Sequence, residues 1–151
     1  MVNKNSNEIY NNEKFTLIYL LGFDYKLKAF IRNFARKINY KIITFRLNNL
    51  VNMEDFIYYI NNCQAVLTNS FHGTLFSIIF NKPFLTFYAK DQAVERFKSL
   101  GQLFNITNRL KVYGEDADVT LLNRSLNINY SLIDELRVKS LNFLKKNLDI
   151  K

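Results

Sequence analysis

The chain has 151 residues and a net charge of +8, from 21 Lys and Arg against 13 Asp and Glu. This length is typical of one domain that buries a hydrophobic core. The proportions of hydrophobic residues, 48%, and of charged residues, 23%, are ordinary for a globular protein. One cysteine, Cys63, and one histidine exclude an internal disulfide and argue against a transition-metal site.

The first third of the chain is predicted to alternate strand and helix after a polar start. Residues 1–13 are Asn-rich, and we expect a flexible segment there. The apolar run "FTLIYLL" (15–21) predicts a buried strand that ends in a turn at Gly22. Residues 25–38 carry apolar side chains at helical spacing, and "YKIITFRL" (40–47) is β-branched and aromatic, which is typical of a strand.

The same alternation continues through the middle of the chain. Residues 53–63 predict a helix, with Asn52 as its N-cap. "AVLTNS" (65–70) predicts a third strand and "HGTLFSIIF" (72–80) a short helix that is apolar almost all round. "PFLTFYA" (83–89) predicts a fourth strand with proline at its first residue, where proline is tolerated.

Two helices are predicted in the last third, on either side of an irregular stretch at 107–120. The first covers about 92–104. The second, about 131–148, carries a row of apolar residues that we expect to cover a core: Leu132, Ile133, Leu136, Leu141, Phe143, Leu144 and Leu148. The whole pattern predicts one α/β domain over 14–151, Rossmann-like and doubly wound around a mostly parallel sheet.

The only histidine lies in the predicted strand-to-helix turn "TNSFHGT". Ligands of open parallel sheets bind at such turns, where helix N-termini attract anions. Ser70 or Asn69 can cap the helix, Gly73 would let the backbone approach a ligand, and His72 can donate to an oxyanion or act as a general acid. The alternative is that His72 is a capping or packing residue.

Other partners and sites find less support in the sequence. The basic charge favours acidic partners, but it also suits an ordinary solvated surface. The basic residues form no run of five or six, so we expect no nucleic acid partner. There is no G-X-S-X-G, no G-X-G-X-X-G and no Walker loop, which argues against a serine hydrolase or a nucleotide site of those types.

The segment "AVLTNSFHGTLFSIIFNKPFLTF" (65–87) closely resembles the signature of the polysaccharide pyruvyl transferase family, in which a buried strand runs into Ser-Phe-His-Gly or Arg-Leu-His-Gly. "MEDFIYYINNCQAVLTNS" (53–70) is similar to the helix that leads into that strand. "AVERFKSLGQLFNITNRL" (93–110) and "INYSLIDELRVKSLNFLKKNL" (128–148) look like the downstream and closing elements. The resemblance covers most of 15–148.

The resemblance implies the C-terminal lobe of a two-domain transferase of the GT-B type. Its activity would be transfer of a pyruvyl group from phosphoenolpyruvate to a sugar of a cell-surface polysaccharide or its lipid-linked precursor, with no cofactor. The implied partners are phosphoenolpyruvate, the glycan acceptor and an amino-terminal lobe. We expect a cytoplasmic protein, since one cysteine suits a reducing compartment and the start lacks a secretory signal; the inner face of the membrane is the alternative.

Roles for individual residues follow from the same resemblance. His72 would contact phosphoenolpyruvate and manage a proton. Ser70 stands where many relatives have an arginine, and with Gly73 and Thr74 it would build the anion-holding turn. Arg96 would substitute for the missing guanidinium; the alternative is that it is a surface residue of its helix. Four further residues are expected at the rim, in local pairs or in loops: Lys82, Arg109, Tyr88 and Asp91.

Family members are longer and carry an amino-terminal lobe that forms part of the cleft. Three explanations stay open: a fragment of a longer coding sequence, a split enzyme with a separate lobe, or a domain that has lost catalysis. The alternative function is therefore a non-catalytic half-domain that binds an anion or a sugar, or a truncated remnant that needs a partner lobe.

Overall fold

The computed structural model describes residues 14–22, 25–38, 40–45, 53–89 and 94–148. Within these ranges the strands are β1 Phe15–Tyr19, β2 Lys41–Phe45, β3 Ala65–Thr68, β4 Phe84–Tyr88 and β5 Leu110–Val112. The α-helices are α1 Tyr25–Ala35, α2 Met53–Asn62, α3 Phe71–Ile79, α4 Val94–Phe104 and α5 Ser131–Leu148. Two 3₁₀ turns, Thr107–Arg109 and Val119–Asn123, precede and follow β5.

The described strands form one sheet in the order β2-β1-β3-β4-β5, and every neighbouring pair is parallel. The order reverses direction at β1, because the chain moves outward to β2 and then returns past β1 to β3. β1, β3 and β4 are buried along their whole length, as near-continuous apolar strands covered on both faces should be. The predicted α/β fold with a parallel sheet is confirmed.

Each face of the sheet carries its own hydrophobic cluster. Side chains alternate along β1, so that Leu17 points into one cluster and Ile18 into the other. The first cluster is closed by α2, α3 and α4 through residues such as Phe56, Ile78 and Phe97. The second cluster is closed by α1 and by the turn at Val119–Asn123. Helices on both faces make the domain doubly wound, as predicted.

The stretch 107–120, expected to be irregular, contains the edge strand β5. It has three residues and pairs with β4 through Phe87 and Lys111. Three residues are too few to show a period of two, so the sequence carries no strand signal there. The pairing with β4 supplies the hydrogen bonds that local sequence does not specify.

The closing helix α5 does not cover a core, and here the prediction from its apolar row is wrong. None of its residues is buried, and only the first turn, with Leu132 and Ile133, packs partly against the domain. The Tyr130 hydroxyl donates to the Ile78 carbonyl oxygen at 3.2 Å and fixes the start of the helix. An amphipathic pattern shows that a helix has an apolar face, but it does not say what lies against that face.

Some expectations fall outside the described residues. These are the flexible segment 1–13, the N-cap Asn52 and the loop residue Asp91. In the described part of the chain, no helix combines the length and the apolar character that crossing a bilayer requires.

Arg109 is a buried arginine that holds the turn at Val119–Asn123 against β4. Its guanidinium donates to the carbonyl oxygens of Leu121 at 2.7 Å, Arg124 at 3.0 Å, Phe84 at 3.3 Å and Ser125 at 3.4 Å. Burial lowers the pKa of Arg109, and the nearby charge of Arg124 adds to that effect. The sequence predicts Arg109 at the rim or in a local pair; the structure instead buries it, and its partners are backbone carbonyls 12 to 25 residues away in the chain.

We expect Arg109→Met to destabilise the domain by about 2–4 kcal/mol, because several carbonyls would lose their donor in a buried site. Urea denaturation followed by circular dichroism measures the change. Arg124→Met is the matched control, since the Arg124 side chain is exposed, and it should stay within about 0.5 kcal/mol of wild type. Equal stability of the two variants would contradict this role of Arg109.

Candidate functional site

The turn from β3 into α3 lies at the carboxyl edge of the sheet and is capped by Ser70. Ser70 has the extended backbone of an N-cap, with φ −94° and ψ 134°, and its hydroxyl oxygen accepts from the Gly73 N–H at 3.3 Å. Asn69, the alternative cap, instead binds Leu21 after β1: its side chain accepts from the Leu21 N–H at 2.7 Å and donates to the Leu21 carbonyl at 3.0 Å. The turn is thereby tied to two adjacent strands.

A small buried hydrogen-bond network supports this turn from beneath. The Thr68 hydroxyl donates to the Tyr19 carbonyl oxygen at 2.6 Å and accepts from the Ser70 N–H at 3.0 Å. Burial raises the pKa of Tyr19, and a hydrogen bond with the Ser70 side chain partly offsets that rise. Thr68 and Ser70 are fully buried, so the network holds the backbone of the turn in one position.

Gly73 occupies a place where the sheet leaves no room for a side chain. A Cβ at this position would lie 2.5 Å from Thr68 Oγ1 and 2.9 Å from Tyr19 Cδ1. The structure therefore gives Gly73 a reason other than the expected approach of a ligand. It lets the first turn of α3 pack directly on β1 and β3.

Thr74 is also fully buried and joins α3 to the sheet. Its hydroxyl donates to the Ser70 carbonyl oxygen at 2.9 Å and lies 2.7 Å from the Thr86 hydroxyl on β4. Ser70, Gly73 and Thr74 thus shape the turn, while their side-chain positions face the interior of the domain. None of the three lines the cavity above the turn.

That cavity has a volume of about 270 Å³ and opens at the carboxyl edge of the sheet. It brings His72 from the start of α3 together with Arg96 from α4, and both side chains are exposed. Its remaining lining comes from the ends of several strands and from α1, α3 and α4: Leu21, Leu27, Asn69, Phe71, Tyr88, Ala89, Phe97 and Tyr113. The cavity therefore combines the imidazole of His72 and the guanidinium of Arg96 with a lining that is mostly apolar and aromatic.

Phe71 contacts both Arg96 and His72. The guanidinium carbon of Arg96 lies 5.3 Å from the centre of the Phe71 ring, a cation–π distance. The Phe71 and His72 rings are 6.2 Å apart, and Phe71 packs edge-on against Phe97 at 5.6 Å. Among the described residues Arg96 forms no ion pair, and its side chain is exposed.

The start of α3 adds backbone donors to the same wall. The first N–H groups of a helix have no partner within the helix. In α3, Ser70 accepts from the N–H groups of Gly73 and Thr74, through its side chain and its carbonyl, whereas those of Phe71 and His72 have no acceptor among the described residues. Free amides and the helix dipole favour negative charge at this point. The site combines these amides with one guanidinium and one imidazole, which suits an anionic ligand.

Two aromatic residues in the site were not expected from the sequence as lining residues. Tyr88, read as a loop residue, is the last residue of β4, and its ring stacks on Phe97 at 4.7 Å. Tyr113 follows β5, where its N–H donates to the Tyr88 carbonyl at 2.9 Å and its ring packs against Phe30. Because β5 itself carried no local signal, the position of Tyr113 could not be read from the sequence.

Lys82 lies away from His72, in a second cavity of about 230 Å³ near the amino ends of the strands. Its neighbours there include Cys63 and Pro83. Burial raises the pKa of Cys63 to about 12, and the charge of Lys82 opposes that rise only in part. The thiol is buried and neutral, and this pair contributes nothing to the site at the carboxyl edge.

A comparison with known families gives one match. The model of a family described as polysaccharide pyruvyl transferase matches residues 2–91, which is more than half of the chain. The matched region includes β3, α3 and β4, and therefore His72 and the capped turn, whereas Arg96 lies beyond it. No curated protein matches the chain.

Proposed function

Because this chain belongs to the polysaccharide pyruvyl transferase family, we propose that it takes part in moving a pyruvyl group from phosphoenolpyruvate to a sugar of a cell-surface polysaccharide or its lipid-linked precursor. The observation that carries the proposal is the cavity at the carboxyl edge of the sheet, where His72 and Arg96 lie beside the free amides of α3. An amino-terminal lobe, in the same chain or another, would close this cavity from the other side.

Phosphoenolpyruvate carries a phosphate and a carboxylate, so its site must offer several donors. Arg96 can bind one of these groups through two parallel N–H···O bonds. The amides of Phe71 and His72 can bind the other at the positive end of α3. Ser70, Gly73 and Thr74 hold that helix end in place, which is how they contribute to the anion-holding turn.

Formation of the ketal requires two proton movements. Carbon 3 of phosphoenolpyruvate gains a proton and becomes a methyl group, one sugar hydroxyl adds to carbon 2, the bond from carbon 2 to the phosphate oxygen breaks, and a second hydroxyl takes its place. The two sugar hydroxyls lose two protons in total. One proton is equivalent to the one that carbon 3 gains, and the other leaves with the phosphate. An imidazole can donate or accept a proton in such steps, and we assign His72 to one of them.

A non-catalytic half-domain that binds an anion or a sugar is the second candidate. The supporting observation concerns Ser70, which stands where many relatives have an arginine. Ser70 is buried and caps α3, so the cavity lacks a guanidinium from this position and is lined by that of Arg96. Such a domain would bind phosphoenolpyruvate without turnover under any pairing with a second lobe. Release of phosphate in the presence of an acceptor glycan separates the two functions.

Donor binding tests the assignment of Arg96. We expect Arg96→Gln to weaken the binding of phosphoenolpyruvate about tenfold or more, because a charge-assisted hydrogen bond contributes about 1.5–3 kcal/mol. Titration calorimetry on the purified chain measures the affinity. Lys98→Gln is the matched control, since Lys98 is an exposed cation on the same helix and pairs with Glu95 at 3.0 Å. Equal affinities of wild type and Arg96→Gln would remove Arg96 from the donor site.

A further inference from the structure

The exposed side of α1 carries charges of one sign. Residues 25–38 contain no Asp or Glu and five cations, against a net charge of +8 for the whole chain: Lys26, Lys28, Arg32, Arg36 and Lys37. Four of the five are exposed and Lys28 is half-buried, because the opposite side of the helix packs into the second hydrophobic cluster. No run of basic residues shows this in the sequence, since the helix brings together cations that are spaced along it.

Three of these cations form a row along the helix, which we call the basic row: Lys28, Arg32 and Arg36. They are four residues apart, so at about 3.6 residues per turn they lie within about 80° of one another. The Arg36 N–H donates to the Arg32 carbonyl oxygen at 3.1 Å, which continues the helical spacing just beyond α1. Phe30 lies about 160° from Arg32 around the helix and contacts Phe87. The basic row therefore faces away from β4.

Acidic residues on the same face of the sheet lie in the segment after β5, which packs on the second cluster: Glu115, Asp116 and Asp118. Tyr113 at the start of that segment contacts Phe30, so the segment approaches α1 from the side opposite to the basic row. The carboxylates of Glu115 and Asp118 each accept a backbone N–H close in sequence, at 2.9 Å. Among the described residues, neither arginine of the basic row forms an ion pair.

This arrangement of charge is unfavourable for the helix by itself. Like charges four residues apart repel each other on a helix surface. The first turn of α1 also carries Lys26 and Lys28 and no acidic residue, although cations are unfavourable at the positive end of the helix dipole. Departures from such local rules are expected at functional surfaces. An anionic surface that covered these cations would remove the repulsion.

We propose that the basic side of α1 is a docking surface for an anionic membrane, to which the protein binds through its lysines and arginines. Clusters of Lys and Arg on a helix attract anionic lipid headgroups. Tyr25 is 78% exposed at the start of the helix, and tyrosine is enriched at the interface of membrane and water. The inference rests on the proposed function, because an acceptor attached to a lipid is presented at such a surface.

This orientation would keep the cavity close to the lipid headgroups. The helix α1 begins at the carboxyl edge of the sheet, where Leu21 before it and Leu27 in its first turn line the cavity. With α1 on the membrane, the cavity would open beside the membrane surface, within reach of a sugar on a lipid carrier.

A single-stranded nucleic acid is the less favoured occupant. Proteins that bind such strands combine cations with several aromatic side chains on which successive bases stack. In α1 only Tyr25 is an exposed aromatic residue, and it lies at the end of the helix. The remaining exposed surface offers charge without stacking, which suits lipid headgroups better.

Vesicle binding tests the proposal, by co-sedimentation of the purified chain with mixed phosphatidylglycerol and phosphatidylcholine vesicles. We expect binding that weakens with salt and is absent on phosphatidylcholine alone. We expect Arg32→Gln/Arg36→Gln to weaken it about 25-fold, at about fivefold for each charge. Both side chains are exposed, so circular dichroism should show unchanged folding.

Arg137→Gln/Lys139→Gln is the matched control, because it removes the same charge from exposed positions of α5. The first turn of α5 packs on the other face of the sheet, so this variant should bind the vesicles within about twofold of wild type. An equal loss in the two variants would overturn the proposal, since net charge alone would then account for binding. So would a wild type that binds single-stranded RNA and not the vesicles.

Donor binding by the same proteins separates this inference from the proposed function. We expect calorimetry to show the wild-type affinity for phosphoenolpyruvate in Arg32→Gln/Arg36→Gln, because neither residue lines the cavity. A wild type that binds phosphoenolpyruvate but not the anionic vesicles would overturn the docking surface alone. A wild type that binds the vesicles through α1 but not phosphoenolpyruvate would overturn the proposed function and leave the docking surface supported.

Discussion

Replacing His72 by alanine is expected to lower pyruvyl transfer by about 10²- to 10⁴-fold, the usual contribution of a general acid or base. His72 is the one histidine in the sequence, it lines the cavity, and it lies in the first turn of α3. Its side chain is exposed, so its removal leaves no hole in the core. The expected loss is therefore one of chemistry and not of folding.

Two measurements separate these effects. Release of inorganic phosphate from phosphoenolpyruvate, with an acceptor glycan and a matching amino-terminal lobe present, reports turnover. Calorimetry reports donor affinity, which should change much less than turnover. His72→Gln keeps a hydrogen-bond donor but cannot exchange a proton in the same way, so it should bind the donor nearly as well as wild type and remain inactive. Turnover of the alanine variant at the wild-type rate would take His72 out of the mechanism.

Gly73→Ala is expected to destabilise the domain by about 3 kcal/mol, at the upper end of the usual cost of overpacking. The added Cβ would lie 2.5 Å from Thr68 Oγ1 and 2.9 Å from the Tyr19 ring. Neither neighbour can move easily. Thr68 is held by hydrogen bonds to Tyr19 and Ser70, and the Tyr19 ring packs at 4.7 Å from that of Phe56. The strain must therefore shift α3 on the sheet.

Gly101→Ala is the matched control, because Gly101 is also a buried helical glycine. Its new Cβ would meet Leu110 Cδ1 at 2.9 Å and Thr107 Cγ2 at 3.0 Å, which are ends of side chains that can turn aside. The better helix propensity of alanine, about 1 kcal/mol, acts at both positions, and at Gly101 it is large enough to offset the milder contact. Urea denaturation should place Gly101→Ala within about 1 kcal/mol of wild type. Equal destabilisation of the two variants would argue against a rigid contact beneath Gly73.

The same shift of α3 connects stability with the site. His72 and the free amides belong to the first turn of α3, and Gly73 sets the distance of that turn from the sheet. We therefore expect the Gly73→Ala protein that remains folded to bind phosphoenolpyruvate more weakly as well.

Much of this architecture could be predicted because the signals are local. Strand-like runs of six to eight residues alternating with helical periods predicted the parallel sheet, and "TNSFHGT" predicted the capped turn, since Ser70 and its helix are adjacent in the chain. The resemblance to the family rested on this same continuous segment, which the family model also matches. Fold class and family could thus be predicted from contiguous residues, because hydrophobic periodicity and helix capping depend on residues that are close in the chain.

Other features depended on contacts between residues far apart in the chain. The position of Arg96 over Phe71, the approach of Tyr113 to the cavity and the four carbonyls around Arg109 arise from how helices and turns settle on the sheet. Hydrophobic periodicity tells which side of a helix or strand is apolar, but not which other element packs against that side. The helix α5 is the clearest example. Its apolar row was evident in the sequence, but only the tertiary structure decided that most of the row is exposed, because α2, α3 and α4 cover the first cluster and only Leu132 and Ile133 of α5 pack against it.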